Sequence, residues 1–235
     1  MERNSDKLVD TSLTAKSFLQ KLHALKKGTG PDPELRGVRM GELFKLGKEF
    51  AWMPVQEIEK LMESRILKVR AGAMSILGQC AKSKKCTPDR LALLYDLYIR
   101  RHDRIDDWGL VDLAAYYVVG QYLADRPRRI LYDLACSDNQ WERRTAIVAT
   151  AHFILKLKET SDTFRIAEIL VHDPEKFVNT GTGWMLRAAG DIDRNGLLDF
   201  LDKYAATMPR VSLRYSIEKL DKETRNHYLS LKKTK

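Results

Sequence analysis

Arg143-Arg144-Thr145-Ala146-Ile147-Val148-Ala149-Thr150-Ala151-His152-Phe153-Ile154-Leu155-Lys156-Leu157 decides the fold class. Ala146, Ile147, Thr150, Ala151, Ile154 and Leu155 recur at three-and-four spacing, which on a helix of 3.6 residues per turn makes one apolar stripe. The same spacing returns at Leu91, Leu94, Tyr95 and Tyr98, at Ile166, Ile169 and Leu170, and at Leu197, Leu198 and Leu201. No stretch alternates as a half-buried strand does, and no Asn-Gly or Asp-Gly turn joins two alternating runs. The chain is predicted to be all-α.

Helix starts divide it into short segments. Pro54, Pro88, Pro127 and Pro174 each precede an apolar-periodic run, where a first helical turn begins. Asn139 with Glu142 three residues on has the form of a capping box, with Asn in place of Ser or Thr. Connections are short except Lys26 to Pro33. There Gly28-Thr29-Gly30 reads as a turn and lacks the Gly-Lys-Ser/Thr ending of a phosphate-binding loop. A weak repeat places Val69-Arg70-Ala71, Val111-Asp112-Leu113, Arg143-Arg144-Thr145 and Asn179-Thr180-Gly181 at similar points of successive helices, in steps of 42, 32 and 36 residues. That irregular period suits stacked helix pairs of the HEAT type, although a plain helical bundle has the same periodicity. The expectation is a curved α-solenoid, an α–α superhelix with a concave basic groove that Asp112 and Arg144 both face.

Forty-one Lys and Arg against 32 Asp and Glu give a formal charge of +9 and a pI near 9.4, which points to a polyanion or to a solvated basic surface. Basic residues gather near the predicted helix ends: Arg65, Lys68 and Arg70; Lys82, Lys84 and Lys85; Arg100, Arg101 and Arg104; Arg126, Arg128 and Arg129; Arg143 and Arg144. Helix-end N–H groups together with Arg side chains can follow a duplex backbone without reading base sequence. No apolar run approaches the roughly 18 residues that span a bilayer. The N-terminus has no apolar signal core, so a cytoplasmic protein without membrane contact is expected. Cys80, Cys86 and Cys136 form no Cys-x-x-Cys pair and have no His at ligand spacing, so they read as reduced thiols and not as metal ligands. The five His form no H-E-x-x-H, and no Gly-x-Ser-x-Gly elbow is present, so hydrolases of those kinds have no foothold.

One acid stands out on this basic chain. In Asp106-Asp107-Trp108-Gly109-Leu110-Val111-Asp112, Trp108 and Asp112 share a helix face one turn apart, and an aromatic beside a carboxylate can hold a cation. A carboxylate in a structural ion pair is the plainer reading of Asp112. Trp184, in Gly181-Thr182-Gly183-Trp184-Met185-Leu186-Arg187, follows two glycines that permit close approach and weaken a helix start. Taken singly, Trp184 and Trp141 read as core residues.

Three of these stretches together are diagnostic. Asp107-Trp108-Gly109-Leu110-Val111-Asp112, Asp138-Asn139-Gln140-Trp141-Glu142-Arg143-Arg144-Thr145-Ala146-Ile147 and Gly183-Trp184-Met185-Leu186-Arg187 resemble, in this order, the AlkD-like DNA alkylation repair family. The resemblance runs from about Gly37 to about Leu220. It implies a single HEAT-like repeat domain over 1–235, with an N-terminal helical extension and loop at 1–36, a repeat core at 37–220 and a basic C-terminal tail at 221–235. It implies Asp112 as the catalytic residue and Trp108 and Trp184 as lesion and sugar contacts. Arg144, with Arg143, Arg187, Arg39 and Arg70, would bind DNA phosphates. The implied activity is a monofunctional glycosylase of base-excision repair that hydrolyses 3-methyladenine and 7-methylguanine from duplex DNA. It would use water and no metal or other cofactor, act as a monomer with no obligate protein partner, and leave the damaged base in the helix. The family's Gly-Val/Ile loop has a counterpart in Gly37-Val38-Arg39, whereas the tyrosine that precedes it there has none: the first tyrosine here is Tyr95.

The chemistry of these residue types fits. A purine alkylated at a ring nitrogen is already cationic and leaves without a general acid. What needs stabilising is a sugar with oxocarbenium character, for which a carboxylate is suited. An indole face against a desolvated cation contributes about 1–2 kcal/mol, and Arg grips phosphate by charge-assisted hydrogen bonds. Two other functions are open to the same sequence, a non-catalytic HEAT-like DNA-binding module and a protein-interaction scaffold.

Overall fold

Small polar side chains and prolines start the helices. The computed structural model describes residues 9–26 and 34–231, and among these residues there are thirteen α-helices and no strand. The turn expected at Gly28-Thr29-Gly30 lies outside them. The all-α reading holds. The chain divides into two compact units between Tyr122 and Leu123.

The first unit holds α1 (Ala15–Ala24), α2 (Met40–Glu49), α3 (Val55–Met62), α4 (Leu67–Lys82), α5 (Pro88–Arg100) and α6 (Trp108–Ala114). Thr14 caps α1 in a reciprocal box with Ser17, each hydroxyl accepting the other residue's backbone N–H. Pro88 takes the first position of α5 behind Thr87, whose hydroxyl accepts from Arg90 N at 3.2 Å. Pro54 is itself the N-cap of α3. The helices pack alternately, α4 lying on α2 and α6, and α3 on α1 and α5. Two layers follow, α1/α3/α5 and α2/α4/α6. Buried on nearly every face, α4 is built from small residues, including Ala71, Gly72, Ala73, Ser75, Gly78 and Ala81.

The second unit repeats this plan with α7 (Arg129–Ala135), α8 (Gln140–Ala149), α9 (Ser161–Leu170), α10 (Lys176–Gly190), α11 (Arg194–Tyr204), α12 (Arg210–Ser216) and α13 (Lys222–Ser230). Here α10 lies on α8 and α12, while α9 lies on α7 and α11. Pro127 and Pro174 precede α7 and α10 by two residues. Asn139 caps α8 by accepting from Trp141 N at 2.9 Å, one residue short of the bond a capping box makes. This pattern, in which a helix packs on the second helix along, is that of stacked helix pairs, as the irregular sequence repeat implied.

A matching clasp appears in each unit. Arg70, fourth residue of α4, donates to Ser64 O six residues back at 2.8 Å and to Asp106 Oδ1, ahead of α6, at 2.6 Å. Arg143, fourth residue of α8, donates to Ser137 O, also six back, at 2.8 Å. It then meets Asp173, ahead of α10, with two bonds of 2.5 and 3.2 Å. In both, the guanidinium ties the turn before its own helix to the turn before the next helix of its layer.

The apolar stripe of 143–157 is observed only as far as Ile154. Ala146, Ile147, Thr150, Ala151 and Ile154 are buried, but Leu155 is 52% exposed. A π turn over Phe153–Leu157 adds a residue to the local hydrogen-bonded ring and rotates later side chains off the stripe. Lys158 then ends the segment in the left-handed conformation, at φ 62°.

The α1/α3/α5 layer of the first unit carries an acid-sensitive link. Glu59 on α3 accepts from Arg100 at 2.7 and 3.1 Å and from Arg101 at 2.8 Å. Arg100 first, then Arg101, hold its carboxyl down to about 2 from an ordinary value near 4.5. A depressed folded value stabilises above the unfolded value and is lost as pH falls through the folded one. Wild type is therefore expected to melt above Glu59→Gln at pH 6, with the gap closing between about pH 4.5 and 2. A gap that stays constant over that range refutes the link.

Candidate functional site

Asp107 shapes the candidate site of the first unit. Its carboxylate accepts from Gly109 N at 2.7 Å and starts α6 at Trp108, which puts Trp108 and Asp112 one turn apart as the sequence implied. Trp108 is 47% exposed, a large apolar ring in solvent. Asp112 is half-buried and lines a cavity of about 290 Å³ with Phe44 of α2, Ser75, Gly78, Gln79 and Lys82 of α4, Leu113 of α6 and Tyr117 of the π turn after it. A side chain at Gly78 would bring its Cβ to 2.5 Å from Leu113 O, so the close approach of α4 to α6 requires glycine there. Of these wall residues, the sequence reading named Asp112 as a site residue and Lys82 within a basic cluster. Phe44, Gln79 and Tyr117 come from three separate elements, and only folding brings them together.

The second unit holds the other expected residues. Arg144 is 4% exposed, and its guanidinium donates to Phe177 O and to Thr180 Oγ1 across to α10. Trp184 is half-buried one turn beyond Thr180, on the same face of α10. Phe177 completes that face, 38% exposed, with its ring 5.7 Å from Trp141 of α8. Trp141 is half-buried at the surface instead of filling the core, and the spacing of Phe177, Thr180 and Trp184 is the sequence signal for this stripe. Gly181 and Gly183 sit mid-helix, not at its start, because α10 begins at Lys176. A Cβ on Gly183 would lie 2.5 Å from Ser212 O, so that glycine admits the backbone of α12.

The remaining basic candidates differ in what they touch. Arg70 and Arg143 form the clasps, and Arg187 pairs with Glu218. Arg39 is exposed ahead of α2, where its N–H donates to Glu42 at 3.2 Å. Among the described residues no cluster of acids, His or Cys is placed to hold a metal, and no helix is long and apolar enough to cross a membrane. Cys80, Cys86 and Cys136 are free thiols.

Two layers of helix pairs in each unit, on a strongly basic chain, define the class of basic helical-repeat proteins. Within that class, the chain belongs to the DNA alkylation repair enzyme family, whose model matches residues 9–220. The match starts ahead of Gly37 and takes in α1 through α12. It makes the protein a DNA repair enzyme and DNA its ligand. No curated protein matches the chain.

Proposed function

We propose that the protein is a monofunctional alkylpurine DNA glycosylase that hydrolyses the N-glycosidic bond of 3-methyladenine and 7-methylguanine in duplex DNA, without a cofactor and as a monomer. The observation that carries this reading is the Asp112 cavity, with a carboxylate half-withdrawn from water and an exposed indole one turn away. In the proposed mechanism the cationic purine departs unaided, Asp112 stabilises the oxocarbenium-like sugar and orients the attacking water, and the Trp108 face holds the cationic nucleotide. Trp184 takes the same kind of role from α10, with Arg144 as the phosphate contact that the family resemblance assigns. Arg39 is open to a backbone phosphate, whereas Arg187, paired with Glu218, and Arg70 and Arg143, held in their clasps, would meet one only beside or in place of a carboxylate. The repeats are read as HEAT-like.

The test is release of methylated purine from methylated duplex DNA by the intact protein. Free base in the wild-type reaction supports the proposal. Tight, salt-sensitive DNA binding with no base released overturns it in favour of a non-catalytic DNA-binding module.

A further inference from the structure

The Asp112 cavity carries a second charge. Lys82, in the last turn of α4, also lines it, with its Nζ 5.6 Å from the centre of the Tyr117 ring. Several basic side chains of the first unit meet carboxylates: Arg100 and Arg101 meet Glu59, Arg104 meets Glu63, and Arg70 meets Asp106, whereas Arg90 donates to Met53 O. Lys82 lies over an aromatic face, which attracts an ammonium and orients it without cancelling its charge. Its stem and the rings of Phe44 and Tyr117 supply apolar wall.

A cavity offering one carboxylate, one ammonium and two aromatic walls matches neither a bare base nor a bare anion. It matches a nucleotide whose sugar becomes cationic while its phosphate stays anionic. We infer that Lys82, oriented by Tyr117, is a binding residue for a backbone phosphate adjoining the lesion nucleotide, and that the cavity therefore takes a sugar-phosphate unit with the sugar toward Asp112. This assignment rests on the glycosylase reading.

A binding cycle tests it without requiring turnover. Duplexes carry a single cationic pyrrolidine residue, which imitates the charged sugar, or its neutral tetrahydrofuran counterpart. The linkage 5′ or 3′ to that residue is either phosphate or uncharged methylphosphonate. Lys82→Met is expected to weaken binding of the all-phosphate duplex roughly three- to tenfold and to reduce the slope of log K against log salt by about 0.9. Neutralising one of the two linkages should weaken the wild type by a like factor and leave Lys82→Met nearly unchanged, the signature of direct coupling. Lys82→Arg is expected to keep most of the affinity. Equal losses in wild type and Lys82→Met at both linkages overturn the assignment, as does a Lys82→Arg as weak as Lys82→Met. A wild type indifferent to the cationic residue, and releasing no methylated base, sinks the glycosylase reading instead, while the linkage cycle still decides Lys82.

Discussion

Asp112→Asn is expected to fold and bind DNA like the wild type while releasing methylated purine about 10²- to 10³-fold more slowly. That is the scale of losing one preorganised electrostatic contact to a developing charge. The substitution keeps shape and removes a unit of negative charge where, in the proposed mechanism, the sugar turns cationic. The loss should fall on the single-turnover rate at saturating DNA, because the interaction exists mainly in the transition state. Binding to the cationic pyrrolidine duplex should weaken in parallel, and binding to the neutral tetrahydrofuran duplex should not. The position of Asp112 in a cavity wall favours such a substitution, since the helix start is fixed by Asp107 and the α4–α6 contact by Gly78. An Asp112→Asn enzyme that excises at the wild-type rate removes Asp112 from the chemistry.

The second large effect is on stability. Arg143→Ala leaves the Asp173 carboxylate, 4% exposed, without its bidentate partner and unties the turn before α8 from the turn before α10. Breaking one side of a buried pair costs about 3–5 kcal/mol. For a chain of this size that lowers the melting temperature by roughly 6–20 °C. Adding Asp173→Ala should recover part of the loss, since the stranded charge goes with it. The same variant separates two roles for Arg143. If it also meets a DNA phosphate, the salt slope of binding, measured well below melting, falls by about 0.9. An unchanged slope beside a lowered melting point assigns Arg143 to the clasp alone. A melting point like the wild type's refutes the clasp.

The sequence was most legible where one helix face decides the matter. The stripe through Ala146, Ile147, Thr150, Ala151 and Ile154 predicted a buried face and found one, because helical spacing maps directly onto burial. Leu155 escaped that logic at a π turn, which depends on packing that no local pattern encodes. Trp108 and Asp112 were legible for the same reason as the stripe, being one turn apart on one element. Phe44, Gln79 and Tyr117 were not, since their relation exists only once α2, α4 and the segment after α6 are assembled. Arg70 and Arg143 show the limit of reading charge. Both stood out as phosphate ligands, and the carboxylates they meet lie 36 and 30 residues away in sequence.

Gly78 and the Arg70 clasp have a consequence for how such an enzyme can diversify. Both originate in α4, and between them they hold the turn before α6 and set how closely that helix lies. Of the other cavity residues, Phe44 and Lys82 take no part in either constraint, while Tyr117 borders the Gly78 approach. Under the proposed glycosylase reading, Phe44 and Lys82 can therefore vary while the framework that holds Asp112 is kept, so ligand preference and fold are free to evolve at different speeds.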